Sequence, residues 1–269
     1  MAVSKSTAHA TALVTGASSG IGEALAHCFA QAGHDLVLVA RSADKLQALA
    51  KLLKAEHGVQ VLVAPADLAQ PESAARLAAL LKRKRVAPDV LVNCAGVLEQ
   101  SAFVRMQPAQ HQQMIDLNIS GLTAMLAHFA PAMAERGRGR ILNVASIAAF
   151  QPIPMLATYA ASKAYVLSLS ESLAEELKGS GVTVTALCPG ITATNMLSSA
   201  ADANSRLAQL PGFMVADVKD VARQGFEACM KGDAICVPGA FNRAVTIASR
   251  GTPKWLVRRI GGFMGRQAL

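Results

Sequence analysis

The chain is poor in the residues that many folds and sites depend on. It has five cysteines, Cys28, Cys94, Cys188, Cys229 and Cys236. An odd, scattered set is no disulfide framework, and no CxxC pair offers a zinc ribbon. The chain therefore reads as one made in a reducing compartment, with a cytoplasmic location expected. Six histidines stop at His128, and there is no HExxH, so no metal site is expected. Charged residues make up only 16% of the chain against 52% hydrophobic ones, the opposite of a disordered composition. The first residues hold no apolar stretch ahead of a small-residue cleavage site, so no secretory signal is visible. The long uncharged runs, residues 141–162 and 179–201, are broken by Pro, Ser and Asn and do not read as membrane spans.

What is present is a chain of 269 residues, a length that suits one α/β domain over residues 1–269. The net charge of +8 favours acidic ligands or partners. Lys82-Arg83-Lys84-Arg85 is the candidate nucleic-acid patch, but no aromatic residues interleave it. It reads instead as a solvated helix end before a turn at Pro88-Asp89, and no nucleic-acid partner is expected.

Short β-rich runs alternate with helical ones. The runs ATALVT, DLVLVA, VQVLVA, DVLVN, RILNVAS, VTVTALCP and AICVPG read as seven strands. Helices are expected over residues 21–31, 44–57, 108–135, 159–178 and 218–231. This alternation predicts a doubly wound, Rossmann-like α/β fold with a seven-stranded, mostly parallel sheet. Uninterrupted apolar strands agree with helices on both faces. Residues 191–214 form an insertion, and residues 240–269 a tail beyond the last strand.

The first strand runs into Gly16-Ala17-Ser18-Ser19-Gly20-Ile21-Gly22, and a helix follows at once. Glycines there permit a tight turn and let a pyrophosphate approach the helix N-terminus. The same residues match the GxSxG elbow of hydrolases, but no histidine follows to complete a triad. Farther on, Tyr159 and Lys163 stand one helical turn apart. An ammonium beside a phenol favours the phenolate, lowering a pKa that starts near ~10. The other tyrosine, Tyr165, has Leu169 at that spacing. Arg41, after Ala40 at the end of the second strand, would attract a 2′-phosphate where a carboxylate would bind a ribose hydroxyl. That favours NADP(H) over NAD(H), although Arg41 could instead stack on adenine or cap the helix.

In these residues the chain resembles the short-chain dehydrogenase/reductase family. TGASSGIG is similar to its cofactor loop, placing Gly16, Ser18, Ser19, Gly20, Ile21 and Gly22 at the cofactor. Asn93-Cys94-Ala95-Gly96 resembles the NNAG motif, with Cys94 in place of the second Asn. Cys94 itself reads as a packed thiol. Tyr159 to Lys163 is YxxxK, with Ser146 thirteen residues earlier. Pro189, Gly190, Thr192 and Thr194 resemble the nicotinamide-binding segment, and Asp67-Leu68 the adenine-contacting pair. The resemblance implies Asn118, Ser146, Tyr159 and Lys163 as the catalytic set, with Lys163 also on the nicotinamide ribose and Asn118 placing a relay water. Asn118 has an alternative reading as a helix-bending or backbone-satisfying residue.

The implied activity is NADP(H)-dependent ketone–alcohol interconversion. Val218 to Ala222, the run ICVPG and the basic tail resemble the branch of 3-oxoacyl and 17β-hydroxysteroid reductases, and the apolar residues within 191–214 argue for an apolar carbonyl substrate. The resemblance also implies a homodimer or homotetramer. A non-catalytic NADP(H)-binding regulator is the alternative. The tail segment Pro253–Ile260 has one apolar helical face, expected to pack on protein, with an anionic membrane surface as the other reading.

Overall fold

A computed structural model of the chain describes residues 9–192, 215–240, 242–244 and 246. Seven strands form one sheet: β1 (Thr11–Thr15), β2 (Asp35–Val39), β3 (Val61–Val63), β4 (Val90–Asn93), β5 (Gly139–Val144), β6 (Val182–Leu187) and β7 (Ile235–Cys236). The spatial order is β3-β2-β1-β4-β5-β6-β7, and every ladder is parallel. The expected sheet is therefore present, without an antiparallel strand among the described residues.

Seven α-helices are described between Thr11 and Cys236. They are α1 (Gly20–Gln31), α2 (Ala43–His57), α3 (Ser73–Arg83), α4 (Pro108–Ile115), α5 (Leu122–Glu135), α6 (Ala157–Glu176) and α7 (Val218–Lys231). No helix among the described residues is long and apolar enough to cross a membrane.

Side-chain alternation along the strands feeds two apolar layers. In β1, Ala12 and Val14 join Leu25 and Phe29 of α1, Leu46 and Leu53 of α2, and Val221 of α7. Leu13 points to the other face, toward Leu77 of α3, Met125 and Phe129 of α5, and Val166 of α6. Each core side chain buried there contributes roughly 1.5–3 kcal/mol of transfer free energy. Both sheet faces are covered, which explains why the strands carry apolar runs rather than an apolar–polar alternation. Lys82–Arg85 lies at the exposed end of α3, as its spacing predicts.

One expectation needs correction. Residues 108–135 are not a single α-helix. Between α4 and α5 the chain widens into a π-helical segment, Asp116–Gly121. Such widened turns displace one residue from the regular ladder and recur at functional sites. Close packing accompanies it: a Cβ at Gly121 would lie 2.3 Å from the Leu68 carbonyl oxygen. The displaced turn holds Asn118.

The chain lays down β1, β2 and β3 outward in one direction, then crosses to β4 on the other side of β1. Loops leaving β1 and β4 therefore diverge. In open parallel sheets the crevice outside these carboxyl ends is where ligands bind.

Candidate active site

The sequence-predicted residues gather along this carboxyl edge, each at the end of a different strand. The glycine loop follows β1, Arg41 follows β2, and Asp67-Leu68 follows β3. Asn93 to Gly96 follow β4, Ser146 follows β5, and Pro189-Gly190 follow β6. Tyr159 and Lys163 come from the first turns of α6, and Asn118 from the π-helical segment.

Thr15 ties the first two loops together. Its hydroxyl donates to the Val92 carbonyl at 3.1 Å and accepts from the Cys94 and Ala95 amides at 2.9 and 3.1 Å. The sequence pointed to the glycines after Thr15 and missed this residue. A hydroxyl directly after the apolar run Ala12-Leu13-Val14 was the available signal. The turn itself requires glycine. Gly16 has φ +67°, and a Cβ there would stand 2.9 Å from Ala95 Cα. At Gly22 a Cβ would stand 2.3 Å from the Gly16 carbonyl oxygen. Ser19, at the N-cap of α1, makes no side-chain capping bond. The first-turn amides of α1 thus keep their donors for another acceptor, as an anion-binding helix end requires.

Asn118 is 1% exposed, and both ends of its amide are engaged. Its Oδ1 accepts from Val97 N at 2.9 Å, and its Nδ2 donates to Val97 O at 2.9 Å and to Ser162 Oγ at 3.1 Å. Ser162 in turn donates to the Tyr159 carbonyl at 2.7 Å. The Asn118 side chain therefore satisfies the Val97 backbone. A water relay at this residue would have to use its backbone carbonyl, because the side chain is occupied. Ser162, buried inside the YxxxK segment, was also missed. Its signal was a small polar residue one turn from Tyr159.

Lys163 is 6% exposed, and its Nζ donates to the Val144 carbonyl at 2.9 Å. Its ammonium stands 5.8 Å from the Tyr159 ring centroid. Burial pushes its pKa down to about 8, with the Cys94 and Cys188 thiols opposing that drift. A Cβ at Gly96 would fall 3.2 Å from Asn118 Oδ1 and 3.4 Å from Lys163 Nζ, so a side chain there would press on the pair.

Tyr159 is also buried. Burial raises its pKa, and a hydrogen bond from the Ser146 side only partly offsets this. Within the chain alone the phenol is held protonated, in the state of a proton donor. Ser146 Oγ accepts from Ala148 N at 3.1 Å. Its hydroxyl hydrogen remains available toward the phenol and the crevice.

Other expected residues sit differently. Asn93 is buried, and its Nδ2 donates across the sheet to Asn143 Oδ1 at 2.9 Å, while Asn143 donates to Ser170. Its side chain therefore braces β4 against β5. Leu68 turns its side chain into the apolar layer, and Asp67 Oδ1 accepts from Ala69 N at 3.1 Å. Arg41 is exposed just ahead of α2. Thr192 donates to the Gly190 carbonyl at 3.0 Å and bridges Ala216. Thr194, most of the 191–214 insertion and the segment Pro253–Ile260 lie outside the described residues. Cys94 is a packed thiol, pushed up to about 12 by burial.

Beside Tyr159, the loop after β4 and the loop before α6 are clasped by Ser101 N donating to Met155 O at 3.0 Å. Met155 has φ +70°, a strained value for a residue with a side chain, and such strain gathers at functional sites. A surface cleft of about 400 Å³ lies instead at the opposite, amino edge of the sheet, between Asp89, Arg138 and Thr183. It contains no member of this constellation. The carboxyl edge, where the polar groups converge, is the better candidate for chemistry.

Comparison with known proteins identifies the family. Residues 10–205 match the family model described as short chain dehydrogenase. A glycine betaine reductase of Emericella nidulans is 35% identical over 213 residues, 78% of this chain, which spans only 17% of that longer protein. Among solved structures, a short-chain dehydrogenase from Sphingobium yanoikuyae in complex with NADPH is 36% identical, with a TM-score of 0.81 over 90% of this chain and 92% of that one. A bulky-bulky ketone specific alcohol dehydrogenase from Comamonas testosteroni is 32% identical, with a TM-score of 0.77 over 91% and 93%. With the family model covering residues 10–205 and the parallel sheet presenting these motifs along one edge, the chain belongs to the short-chain dehydrogenase family of oxidoreductases.

Proposed function

We propose that the protein interconverts a ketone and a secondary alcohol with NADP(H), on an apolar carbonyl substrate of the 3-oxoacyl or steroid-like kind. The observation that carries this is the convergence of Ser146, Tyr159 and Lys163 beside an uncapped helix N-terminus. A site for binding alone has no need of a protonated phenol with a serine hydroxyl next to it.

The residues present fit a dinucleotide. The first-turn amides of α1, reached over Gly16, Gly20 and Gly22, suit a pyrophosphate. Arg41 is exposed where a 2′-phosphate would lie, and the guanidinium would form charge-assisted bonds with it. Asp67, Ala95, Gly96, Lys163, Gly190 and Thr192 border the remaining length. Bound there, the nicotinamide supplies or accepts hydride.

The protein's own part is proton handling and orientation. Tyr159, held protonated, donates to the carbonyl oxygen as it gains negative charge. Ser146 donates a second hydrogen bond to that oxygen and fixes its position. Lys163 places positive charge beneath the phenol and stabilises the phenolate left after transfer. Asn118 and Ser162 hold the loop at Val97 and the first turn of α6 in register, so that these groups keep their spacing.

The apolar substrate rests on the surroundings of the phenol. Met114, Ala148 and Tyr159 form a cluster against which Val97, Leu98, Ile153 and Leu156 pack. Such a wall favours a carbonyl flanked by hydrocarbon. A cytoplasmic location and a homodimer or homotetramer belong to the same reading.

The test is NADPH oxidation against a panel of aliphatic ketones, cyclic ketones and 3-oxoacyl thioesters. Turnover should rise with the apolar bulk beside the carbonyl. Turnover of polar hydroxyketones alone would overturn the substrate reading, and no oxidation with any carbonyl would overturn the activity.

A further inference from the structure

Away from the carboxyl edge, two helices bring together a donor set with a different chemistry. His27 lies in the last two turns of α1, and Glu56 and His57 are the last two residues of α2. One imidazole nitrogen from each histidine and one carboxylate oxygen from Glu56 all lie within 4.8 Å of one another. His57 Nε2 and Glu56 Oε2 are 3.7 Å apart. Sequence spacing alone conceals the set, because 29 residues separate Glu56 from His27. Only the packing of α1 beside α2 on one sheet face closes that gap.

We propose that His27, Glu56 and His57 form a binding site for a divalent transition-metal ion of the zinc type. This departs from the expectation, drawn from ligand spacing, that the chain has no metal site.

The donor set selects the class of ion. Two imidazoles and one carboxylate suit zinc, nickel and copper, whereas calcium and magnesium want an all-oxygen shell. Zinc–ligand bonds of about 2.0–2.1 Å place tetrahedral donors roughly 3.3 Å apart. The present separations need a contraction of about 1.5 Å at most, within reach of side-chain rotation. Glu56 is exposed and His27 and His57 are half-buried, so the ligands can turn inward and water can complete the shell.

The electrostatic setting is mixed and on balance favourable. The carbonyl end of α2 adds partial negative charge at His57. Glu23 stands one turn before His27 on α1. Lys54 opposes from the last turn of α2. Cys28 follows His27 in sequence but is not among the three clustered donors.

The consequence is a clamp rather than chemistry. The site joins α1 and α2 at the ends remote from the carboxyl edge of the sheet. Along α1, His27 is roughly 10 Å from Gly20 of the glycine loop. An ion there would stabilise the half of the fold that carries the dinucleotide residues without touching Tyr159.

The experiment uses full-length, tag-free protein stripped with EDTA. Zinc chloride titrated calorimetrically should bind with one ion per chain, and zinc should raise Tm. Cobalt substituted at the site should give the visible bands of a nitrogen–oxygen ligand set. Loss of an outer-shell partner alone costs about 10- to 100-fold in affinity, so His27→Ala and His57→Ala should each cost at least about tenfold. Cys28→Ser should leave affinity unchanged. His27→Gln, similar in size and polar, repeats the measurement should the alanine variant lose its fold. Equal zinc affinity in wild type and a His27→Gln/His57→Gln double variant overturns the proposal, as does a cobalt spectrum dominated by thiolate bands.

Discussion

The two edges of the sheet are built from the same seven strands, yet they put polar groups to opposite uses. At the amino edge, carboxylates close off strand entries with partners partly open to water. Asp89 accepts from Thr11 N at 3.1 Å and pairs with Arg138 at 3.3 Å, while Asp35 accepts from Gln60 N at 2.8 Å. Arg140 donates to the Cys229 carbonyl at 3.2 Å. At the carboxyl edge Asn118, Tyr159, Ser162 and Lys163 are buried, and two of them, Tyr159 and Lys163, sit away from their ordinary pKa values. Burial is what separates the two. Near water a charge pair contributes little to stability, whereas a desolvated lysine or phenol has its protonation set by a few neighbours.

The contrast breaks most sharply at Tyr159. Tyr159→Phe keeps the packed ring and removes the proton donor, and kcat should fall at least ~10²-fold with NADPH still bound. Near-normal turnover of an apolar ketone by that variant would end the assignment. At Arg41, replacement by alanine should erode the preference for NADPH over NADH by roughly 10- to 150-fold, measured as the ratio of kcat/KM values. An unchanged ratio would move the 2′-phosphate contact elsewhere.

Gly22→Ala places a methyl 2.3 Å from the Gly16 carbonyl oxygen, and backbone cannot yield as a side chain can. Stability should drop by about 1–3 kcal/mol in denaturant unfolding, with weakened NADPH binding. Lys163 sharpens the comparison through pH. Its folded pKa, about 8, lies below its ordinary value of 10.5, so between those values the unfolded chain binds more protons. Stability should therefore rise as pH climbs from about 8 to 10.5, and below pH 8 the cost of burying the ammonium is fully present. Lys163→Met should flatten that slope. The smallest effect belongs to the amino edge. Asp89→Asn should cost about 1 kcal/mol of stability and leave kcat unchanged, because only a strand entry is loosened. A loss of turnover there would erase the division between the edges.

Much of the carboxyl edge was legible because its chemistry is local. The glycine loop, YxxxK and Arg41 are each read within a few residues, and each lies at a strand end or a helix start. What escaped the sequence depends on contacts between distant segments. Thr15 matters because it meets amides 79 and 80 positions away. Asn93 faces Asn143 rather than the crevice because β4 and β5 pair in that register. The continuous helix expected at 108–135 broke at Asp116–Gly121, where Gly121 packs against the Leu68 backbone and no periodicity records it.

The alternation of apolar strands with amphipathic helices, by itself, determined a parallel sheet with helices packed against it, since strands apolar on both sides need cover on both. The same local patterns determined which residue types stand at the strand ends. The tertiary structure decided protonation and donor grouping. The phenol of Tyr159 is held protonated, and His27 meets Glu56 and His57, for one physical reason. Desolvation and proximity are properties of packed segments, and neither exists until distant parts of the chain meet.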